Sequence, residues 1–565
     1  MRELFRNGLL MAVLFAFQGT AARGAPEPVK GLYLNDLRLT PVQSGGRVKP
    51  FDEFARENIL ALTGSRSWSG FDPSEMVLSM MVNPKEWADE RIIRISVPEV
   101  NRQLVLDPDR KFFSPNELLG NNAFLQYSEG IQSNGALAEQ VVNTGVNAVT
   151  GQRDPRGEEL KRVVERVARF QSLVTGRLWA VTPGTEKEQP WKSVADGMAE
   201  TTPQSRSVFL VLKSYLEKNG DEFRANAAKA RMTIESSVPD FDAQKNRILE
   251  EVFYNRLRPF LQAMIFYLLA GILWFFAGAH ALPRIMSKFL TICGATLHVL
   301  GFALRCHVAG RPPVTNMYES IIWVSLGVMV FAVLLFIRNR QTVLMATATI
   351  LSGLALFAAD SAPMVMDPTI RPLVPVLRSN YWLTIHVLTI TLSYGAFMLA
   401  MGISNVALFG FYQEARRGAS EALSKRIVLL NQLSYRALMF GTVLLAAGTI
   451  LGGIWADYSW GRFWGWDPKE VWALIALLSY MAVLHGRYAG WVGRFAFPLW
   501  TVICFSTVLM AWYGVNFVLG VGLHSYGFSA GGQAFVAGFL LLQALYCTLV
   551  AFHHQRLKAG SGAHA

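Results

Sequence analysis

Nine apolar segments follow one another from Pro259 onward, and each is long enough to cross a lipid bilayer. Inside a bilayer the backbone must satisfy its own hydrogen bonds, and runs of about 20 apolar residues do so as helices. The sequence therefore predicts a polytopic α-helical membrane region. Its nine transmembrane helices are expected at residues 260–280, 288–306, 318–337, 342–359, 381–411, 434–455, 469–490, 497–519 and 534–554.

The residues before this region have a more mixed composition. Residues 1–24 have the basic start, short apolar core and small residues that are typical of a secretory signal peptide. Residues 25–255 contain strand-like patterns at 91–97 and 103–106, and helical patterns at 158–178, 205–236 and 241–255. We predict an N-terminal α+β extracytoplasmic domain over 25–255. It is followed by a first transmembrane helix within 256–284, a membrane domain over 285–555 and a cytoplasmic tail at 556–565.

Basic residues in the loops indicate which side of the membrane each loop faces, because Lys and Arg are enriched in cytoplasmic loops. If the first domain is exported, the cytoplasmic side contains Arg284, Lys288, Arg338, Arg340, Arg416, Arg417, Lys425, Arg426, Arg436, Arg487, Arg494, Arg556 and Lys558. The short loops on the other side contain six: Arg305, Arg311, Arg371, Arg378, Arg462 and Lys469. This bias supports the exported orientation. The basic residues form no aromatic-interleaved patch of the kind that binds nucleic acid.

Five tryptophans lie within residues 455–472, in the sequence WADYSWGRFWGWDPKEVW. Asp467, Pro468 and Glu470 predict a helix start, with Asp at the N-cap and Glu three residues later. We therefore expect the tryptophans in an extracytoplasmic loop at the beginning of a helix. Such a cluster suits a flat aromatic ligand. An interfacial aromatic belt is the alternative interpretation.

All nine histidines follow residue 279, and two of them are expected near the tryptophans. His386 lies about 8 Å inside the external end of its helix, and His524 lies in the external loop after the eighth helix. Two imidazoles on opposite sides of a flat ligand suit a six-coordinate haem iron. A zinc site would need further ligands, which are not present at matching spacing. An interhelical hydrogen-bonding role is the alternative for each histidine.

Other histidines are expected away from this external group. His485 follows the Asp467 cap by a helical distance of about 27 Å, which places it near the cytoplasmic side. A second, inner site that pairs His485 with His298 is one interpretation. The other is that His298 is a packed polar residue and His280 an interfacial one. The remaining cytoplasmic histidines are expected to be solvated: His553, His554 and His564.

These motifs together resemble the CcsA/ResC-type cytochrome c synthase component of system II cytochrome c biogenesis, a member of the WWD haem-handling superfamily. The resemblance covers residues 285–555. It rests on WGRFWGWDPKE at 460–470, NMYES at 316–320, SNYWLTIHV around His386, the helix ending at His485 and GLHSYG around His524. The exported domain with the first span resembles the CcsB/ResB partner that some organisms fuse to CcsA.

The resemblance implies a holocytochrome c synthase, or haem lyase, that works as part of a complex in the bacterial cytoplasmic membrane. Such a protein binds haem b, exports it and presents it for thioether attachment to the CxxCH segment of apocytochrome c. The chain itself contains no CxxCH. The implied partners are apocytochrome c, a separate ResB/CcsB-like subunit and a thiol-reducing system.

The resemblance also implies a set of binding residues. Histidines that match His386 and His524 ligate haem iron externally, and the one that matches His485 belongs to a transmembrane haem site. His298, His280 or a partner chain is expected to supply the second transmembrane ligand. The remaining implied contacts to haem are Trp460, Trp464, Trp466 and Asp467, with Arg378, Arg371 or Arg462 near the propionates.

Three other functions use some of the same features. A CcmF-like haem lyase of system I shares the tryptophan segment. A transporter of an amphipathic solute would need the membrane helices without any haem chemistry. A quinone or b-type haem electron-transfer subunit would pair histidines across two helices within the bilayer.

Overall fold

The computed structural model describes residues 26–133, 155–184, 189–278, 280–363, 365–372, 380–519 and 532–562. The chain divides into two compact units, the first comprising Met1–Leu257 with Thr369–Pro372 and the second Arg258–Pro368 with Leu373–Ala565. The predicted signal peptide, Arg378 and His524 lie outside the described residues.

Unit 1 contains a small four-stranded antiparallel sheet. Its strands are β1 (Pro41–Ser44), β2 (Arg47–Pro50), β5 (Ala180–Thr182) and β6 (Lys192–Ser193), in the order β2-β1-β5-β6. Gly45 and Gly46 connect β1 to β2, and both have positive φ, as a tight hairpin turn requires. A separate antiparallel pair is formed by β3 (Ile93–Arg94) and β4 (Phe112–Phe113).

The helices of unit 1 surround a buried core in which Phe51 lies 4.4 Å from Trp179 between ring centroids. The helices are α1 (Asn35–Leu39), α2 (Phe51–Thr63), α3 (Pro73–Val82), α4 (Pro84–Asp89), α5 (Pro98–Gln103), α6 (Pro115–Leu119), α7 (Asn122–Ser133), α8 (Pro155–Val174), α9 (Val194–Ala199), α10 (Pro203–Leu216), α11 (Gly220–Glu235) and α12 (Phe241–Leu257). Mixed helices and short strands confirm the predicted α+β character of this part.

Two local predictions in unit 1 were wrong. Residues 103–106, predicted as a strand, form the end of α5 and a turn, because the Leu106 backbone N–H bonds locally to the Asn101 carbonyl. The helical pattern at 205–236 forms two helices instead of one. Lys218 has a φ of 53°, and the Asn219 side chain accepts the Glu222 backbone N–H to start α11.

Unit 2 is helical throughout its described residues. It contains α13 (Pro259–Phe276), α14 (Ala281–Ala309), α15 (Met317–Asn339), α16 (Thr342–Ser361), α17 (Asn380–Arg417), α18 (Glu421–Trp460), α19 (Pro468–Tyr488), α20 (Ala496–Leu509) with the π-helix Met510–Leu519, and α21 (Gln533–Gly562). Among the described residues, nine helices are long and apolar enough to cross a membrane, which confirms the predicted polytopic architecture. The first of these candidate spans runs over both α12 and α13.

Glycines allow three of these helices to approach closely. A Cβ atom on Gly395 of α17 would lie 2.9 Å from the Val324 carbonyl oxygen of α15. A Cβ atom on Gly448 of α18 would lie 2.9 Å from the Cα atom of Ile390 on α17. Apolar side chains gain little from burial when lipid is the alternative, so membrane helices associate through such small-residue contacts. The close approach brings the α17 side chains against the α18 backbone.

Candidate functional site

A cavity of about 180 Å³ lies among the helix ends of unit 2. The residues around it come from the loop after α14, the start of α15, the first half of α17, the end of α18, the loop after it, the start of α19 and the π-helix. Successive spans alternate in direction, so these segments all belong to one end of the helices. The charged and ring-bearing residues on its wall include Arg311, His386, Trp455, Trp464, Lys469 and Trp512.

His386 is held against α18 by its ring nitrogen. Its Nδ1 atom lies 2.8 Å from the Gly448 carbonyl oxygen. A carbonyl only accepts hydrogen bonds, so Nδ1 carries the proton and Nε2 has the lone pair. This is the tautomer in which imidazole binds a metal ion through Nε2, and a hydrogen bond at the other nitrogen orients such ligands.

The residues that surround the His386 ring leave it little room to turn. The ring is nearly parallel to that of Trp455, with 6.3 Å between centroids and 8° between planes. A Cβ atom on Gly452 would lie 2.5 Å from His386 Cε1, so only glycine fits at this position. Gly448 and Gly452 lie one helical turn apart and together form the surface on which the ring rests.

The sequence predicted that the tryptophan segment lies in a loop, but only part of it does. Trp455 and Trp460 lie on α18, Trp472 lies on α19, and Trp464 and Trp466 lie between the helices. Hydrogen bonding continues α18 through Trp460, where Gly461 ends it with a positive φ. Trp455 and Trp464 line the cavity, Trp460 packs edge-on against Trp455 at 4.7 Å, and Trp466 is 71% exposed.

The predicted start of α19 is confirmed as a capping box. The Asp467 side chain accepts the Lys469 backbone N–H at 3.1 Å, and Pro468 is the first helical residue. The Glu470 carboxylate accepts the backbone N–H groups of Asp467 at 3.1 Å and Gly465 at 2.8 Å. Asp467 is therefore a buried structural residue, and the same bonds fix the loop that carries Trp464.

His298 is fully buried on α14, away from the cavity wall. Its Nε2 atom lies 3.0 Å from the Ile322 carbonyl oxygen, and its Nδ1 atom lies 3.4 Å from the Tyr267 hydroxyl. Both ring nitrogens therefore have partners within unit 2, which favours the packed interpretation of this residue.

His485 has a different environment near the other end of α19. Its ring is exposed, and Nδ1 lies 2.8 Å from the carbonyl oxygen of Met481 in the same helix. His280 is also exposed, at the N-cap of α14.

His554 was predicted to be solvated, and the structure shows it half-buried. Its ring stacks on Phe495 with 4.1 Å between centroids and lies edge-on to Phe411 at 5.6 Å. His553 contacts Tyr412 at 5.2 Å. Aromatic rings from distant parts of the sequence therefore contact both imidazoles, and a one-dimensional pattern does not reveal such contacts. His564 lies outside the described residues.

A buried ionic network fixes the cavity wall near the start of α15. Glu319 accepts from Arg305 Nε at 3.1 Å and from a terminal nitrogen of the same guanidinium at 2.9 Å, and both side chains are fully buried. Its other oxygen accepts the Thr315 N–H at 2.9 Å and forms an ion pair with Arg311 at 3.5 Å. A buried charge pair persists only when its hydrogen bonds are well satisfied, so this network defines the loop before α15.

Several wall residues were not singled out from the sequence. Trp512 and Asn516 belong to the π-helix, and the Trp512 indole N–H donates to the Ser320 hydroxyl at 2.8 Å. An apolar run predicts a helix but not a π-helical one, although π-segments often occur at functional sites. In the sequence, the charges of Lys469 and Arg311 indicated only which side of the membrane their loops face. Of the predicted arginines, Arg462 lies over the Trp460 ring at 5.9 Å and Arg371 belongs to unit 1.

Comparison with known proteins identifies this class of membrane protein. The model of the cytochrome C assembly protein family matches residues 314–524, which include His386 and the tryptophan segment. Cytochrome c biogenesis protein CcsA of Prochlorococcus marinus is 34% identical over 314 residues, covering 50% of this chain and 100% of that protein. CcsA of a Synechococcus species is 37% identical over 250 residues, covering 39% of this chain and 77% of that protein.

A longer relative extends the match into unit 1. Protein NrfI of Wolinella succinogenes is 29% identical over 500 residues, which cover 85% of this chain, and the chain spans 53% of the length of NrfI. The chain belongs to the cytochrome c assembly protein family, together with the CcsA proteins. It is thus a multi-pass membrane protein with a role in cytochrome c biogenesis.

Proposed function

We propose that this protein is a haem lyase of the holocytochrome c synthase type, which binds haem and presents it for covalent attachment to apocytochrome c. One observation carries the proposal: the wall of a cavity in unit 2 contains His386, its tautomer set by the Gly448 carbonyl, beside the rings of Trp455 and Trp464. Haem, the substrate here, has a flat apolar macrocycle that suits indole walls and an iron that suits imidazole.

In this proposal the chain orients haem, and His524 completes the axial pair with His386. Each thiol of a CxxCH segment adds across one vinyl group of haem, so that a sulfur–carbon bond forms and the thiol hydrogen passes to the other vinyl carbon. This addition balances without an oxidant, but it requires reduced thiols, which a thiol-reducing system would supply. The contribution of the protein is the position of the vinyl groups relative to the thiols.

We place the protein in the bacterial cytoplasmic membrane, with unit 1 and the cavity on the extracytoplasmic side. The distribution of Lys and Arg among the loops supports this orientation. The NrfI match, which extends into unit 1, supports a CcsB/ResB-like role for residues 25–255. Haem b is the form of haem that carries the two vinyl groups this reaction needs.

We further propose that haem enters near His485 and is exported to the cavity. His485 is exposed on α19, so a ligand or a neighbouring chain can reach its ring. Both nitrogens of His298 have other partners. A ResB/CcsB-like partner chain, or His280, therefore suits the second inner ligand better than His298 does.

The test is the haem content and cytochrome c yield of histidine variants, each measured by pyridine haemochrome spectra. His386→Ala should lower both quantities, and added imidazole should partly restore them by occupying the vacant axial position. His553→Ala, at the opposite end of the helices, is the matched control and should leave both unchanged. Wild-type haem content and yield in His386→Ala would refute the proposal, and wild-type protein with no Soret band would favour a transporter.

The inner site is tested with the same measurements. His485→Ala should lower the amount of haem that reaches the outer site. It should leave intact the response to imidazole that His386→Ala shows, because that response depends on the outer site. A normal amount of externally bound haem in His485→Ala would remove the inner site from the proposal.

A further inference from the structure

Lys469 lines the cavity, and its charged group has no hydrogen-bond acceptor among the residues that the structure describes. It is the second residue of α19, and its backbone N–H is bonded to the Asp467 side chain at 3.1 Å. Its ammonium group forms no hydrogen bond and no ion pair with any residue that the structure describes, although the side chain lines the cavity. A charge removed from bulk water is costly unless a counter-charge compensates it.

The nearby carboxylates are engaged with the backbone. One oxygen of Glu470 accepts two backbone N–H groups, from Gly465 and Asp467, and the Asp467 carboxylate caps α19. These bonds stabilise the helix start and the loop before it. They direct both acids toward main-chain donors, so Asp467 acts on the Lys469 ammonium through electrostatic attraction alone, while Lys469 lines the cavity.

A second cation, Arg311, lines the same cavity. One of its terminal nitrogens donates to the Thr315 hydroxyl at 2.7 Å and lies 3.5 Å from Glu319. Glu319 is also the carboxylate that pairs with Arg305, so two guanidinium groups share one negative charge. Arg311 therefore places a second positively charged group on the wall of this cavity.

We propose that Lys469, on the wall of the cavity that Arg311 also lines, forms an anion subsite that binds a carboxylate of the cavity's ligand. The inference rests on the proposed function, under which this carboxylate is a propionate of haem. A propionate would supply the ammonium with the acceptor that the described residues do not provide, and it would fix the rotation of the macrocycle about the His386–iron axis. The subsite differs from the arginines expected from the sequence, namely Arg371, Arg378 and Arg462.

The experiment compares two porphyrins, one with free propionates and one in which both propionates are neutral methyl esters. Purified wild-type protein, Lys469→Gln and Lys469→Arg are titrated in one detergent with iron protoporphyrin IX and with its dimethyl ester, and tryptophan quenching and Soret absorbance are recorded. Lys469→Gln should bind the free acid about ten- to hundred-fold more weakly, as expected for loss of a charge-assisted hydrogen bond. Its affinity for the ester should be unchanged, and Lys469→Arg should recover most of the discrimination.

Lys288→Gln is the matched control, because it removes the same charge from an exposed position on α14. It should bind both porphyrins as the wild type does. Equal weakening of both porphyrins in Lys469→Gln, or no weakening of either, would overturn the subsite. If neither porphyrin binds to wild-type protein, the proposed function itself fails, which is a distinct result.

Discussion

Gly452→Ala should weaken haem binding by displacing His386, without any change to a ligand-binding side chain. The added Cβ atom would lie 2.5 Å from His386 Cε1 and 2.9 Å from Nδ1. Non-bonded carbon atoms normally stay at least about 3.5 Å apart, so the ring must move by about 1 Å. Such a shift breaks the hydrogen bond to the Gly448 carbonyl, which now measures 2.8 Å.

Two terms set the size of the effect. Overpacking of one methyl group in a close-packed interface costs about 1–3 kcal/mol, and the lost hydrogen bond costs about 1 kcal/mol more. The His386 ring can move aside when no ligand is bound. Part of the cost therefore lowers the free energy of unfolding, and the rest weakens haem binding. Since about 1.4 kcal/mol corresponds to a tenfold change in affinity, we expect haem to bind about ten- to hundred-fold more weakly.

The assay is a Soret titration of purified protein with haem, alone and with imidazole present. Added imidazole should restore part of the haem content of Gly452→Ala, because it replaces the misplaced ring. Gly538→Ala is the matched control, since a Cβ atom on Gly538 would meet nothing within 4 Å. Wild-type affinity and no imidazole response in Gly452→Ala would refute the reasoning that glycine is needed to seat His386.

Two further predictions concern buried polar groups in unit 2. Glu319→Gln should lower the free energy of unfolding by about 3–5 kcal/mol, because it leaves Arg305 buried without its counter-charge; a decrease below about 1 kcal/mol in denaturant titration would contradict this. Tyr480→Phe should leave the free energy of unfolding unchanged or raise it, because the buried Tyr480 hydroxyl has no hydrogen-bond partner among the described residues. A loss of more than about 1 kcal/mol in the same titration would indicate a partner.

Much of the fold could be predicted from the sequence because membrane crossing is a one-dimensional requirement. A run of apolar residues of sufficient length must be helical in lipid, so nine segments predicted nine helices. The start of α19 could be predicted for a similar reason, since a capping box depends on residues three positions apart. In both cases the interactions that decide the structure are local.

The wrong predictions concern helix ends that the pattern of polar and apolar residues does not mark. Trp460 was expected in a loop because it follows the apolar segment 434–455, yet backbone hydrogen bonds continue α18 through it. The polar pattern after residue 205 has one helical period, but a residue with positive φ at Lys218 divides it. A helix ends where its backbone finds other partners, and this position need not coincide with a change in polarity.

The sequence alone determined the nine candidate membrane spans found among the described residues, the capped start of α19 and the chemical groups available for a haem site. The tertiary structure decided which of these groups meet. The Gly448 carbonyl that orients His386 lies 62 residues along the chain, and it reaches the ring because glycines let α17 and α18 approach closely. Likewise, Lys469 and Arg311 line one cavity because the start of α19 and the loop after α14 lie at the same end of the helices. Such contacts depend on packing between segments that are distant in the sequence. This packing produces no periodic pattern of residues in either segment.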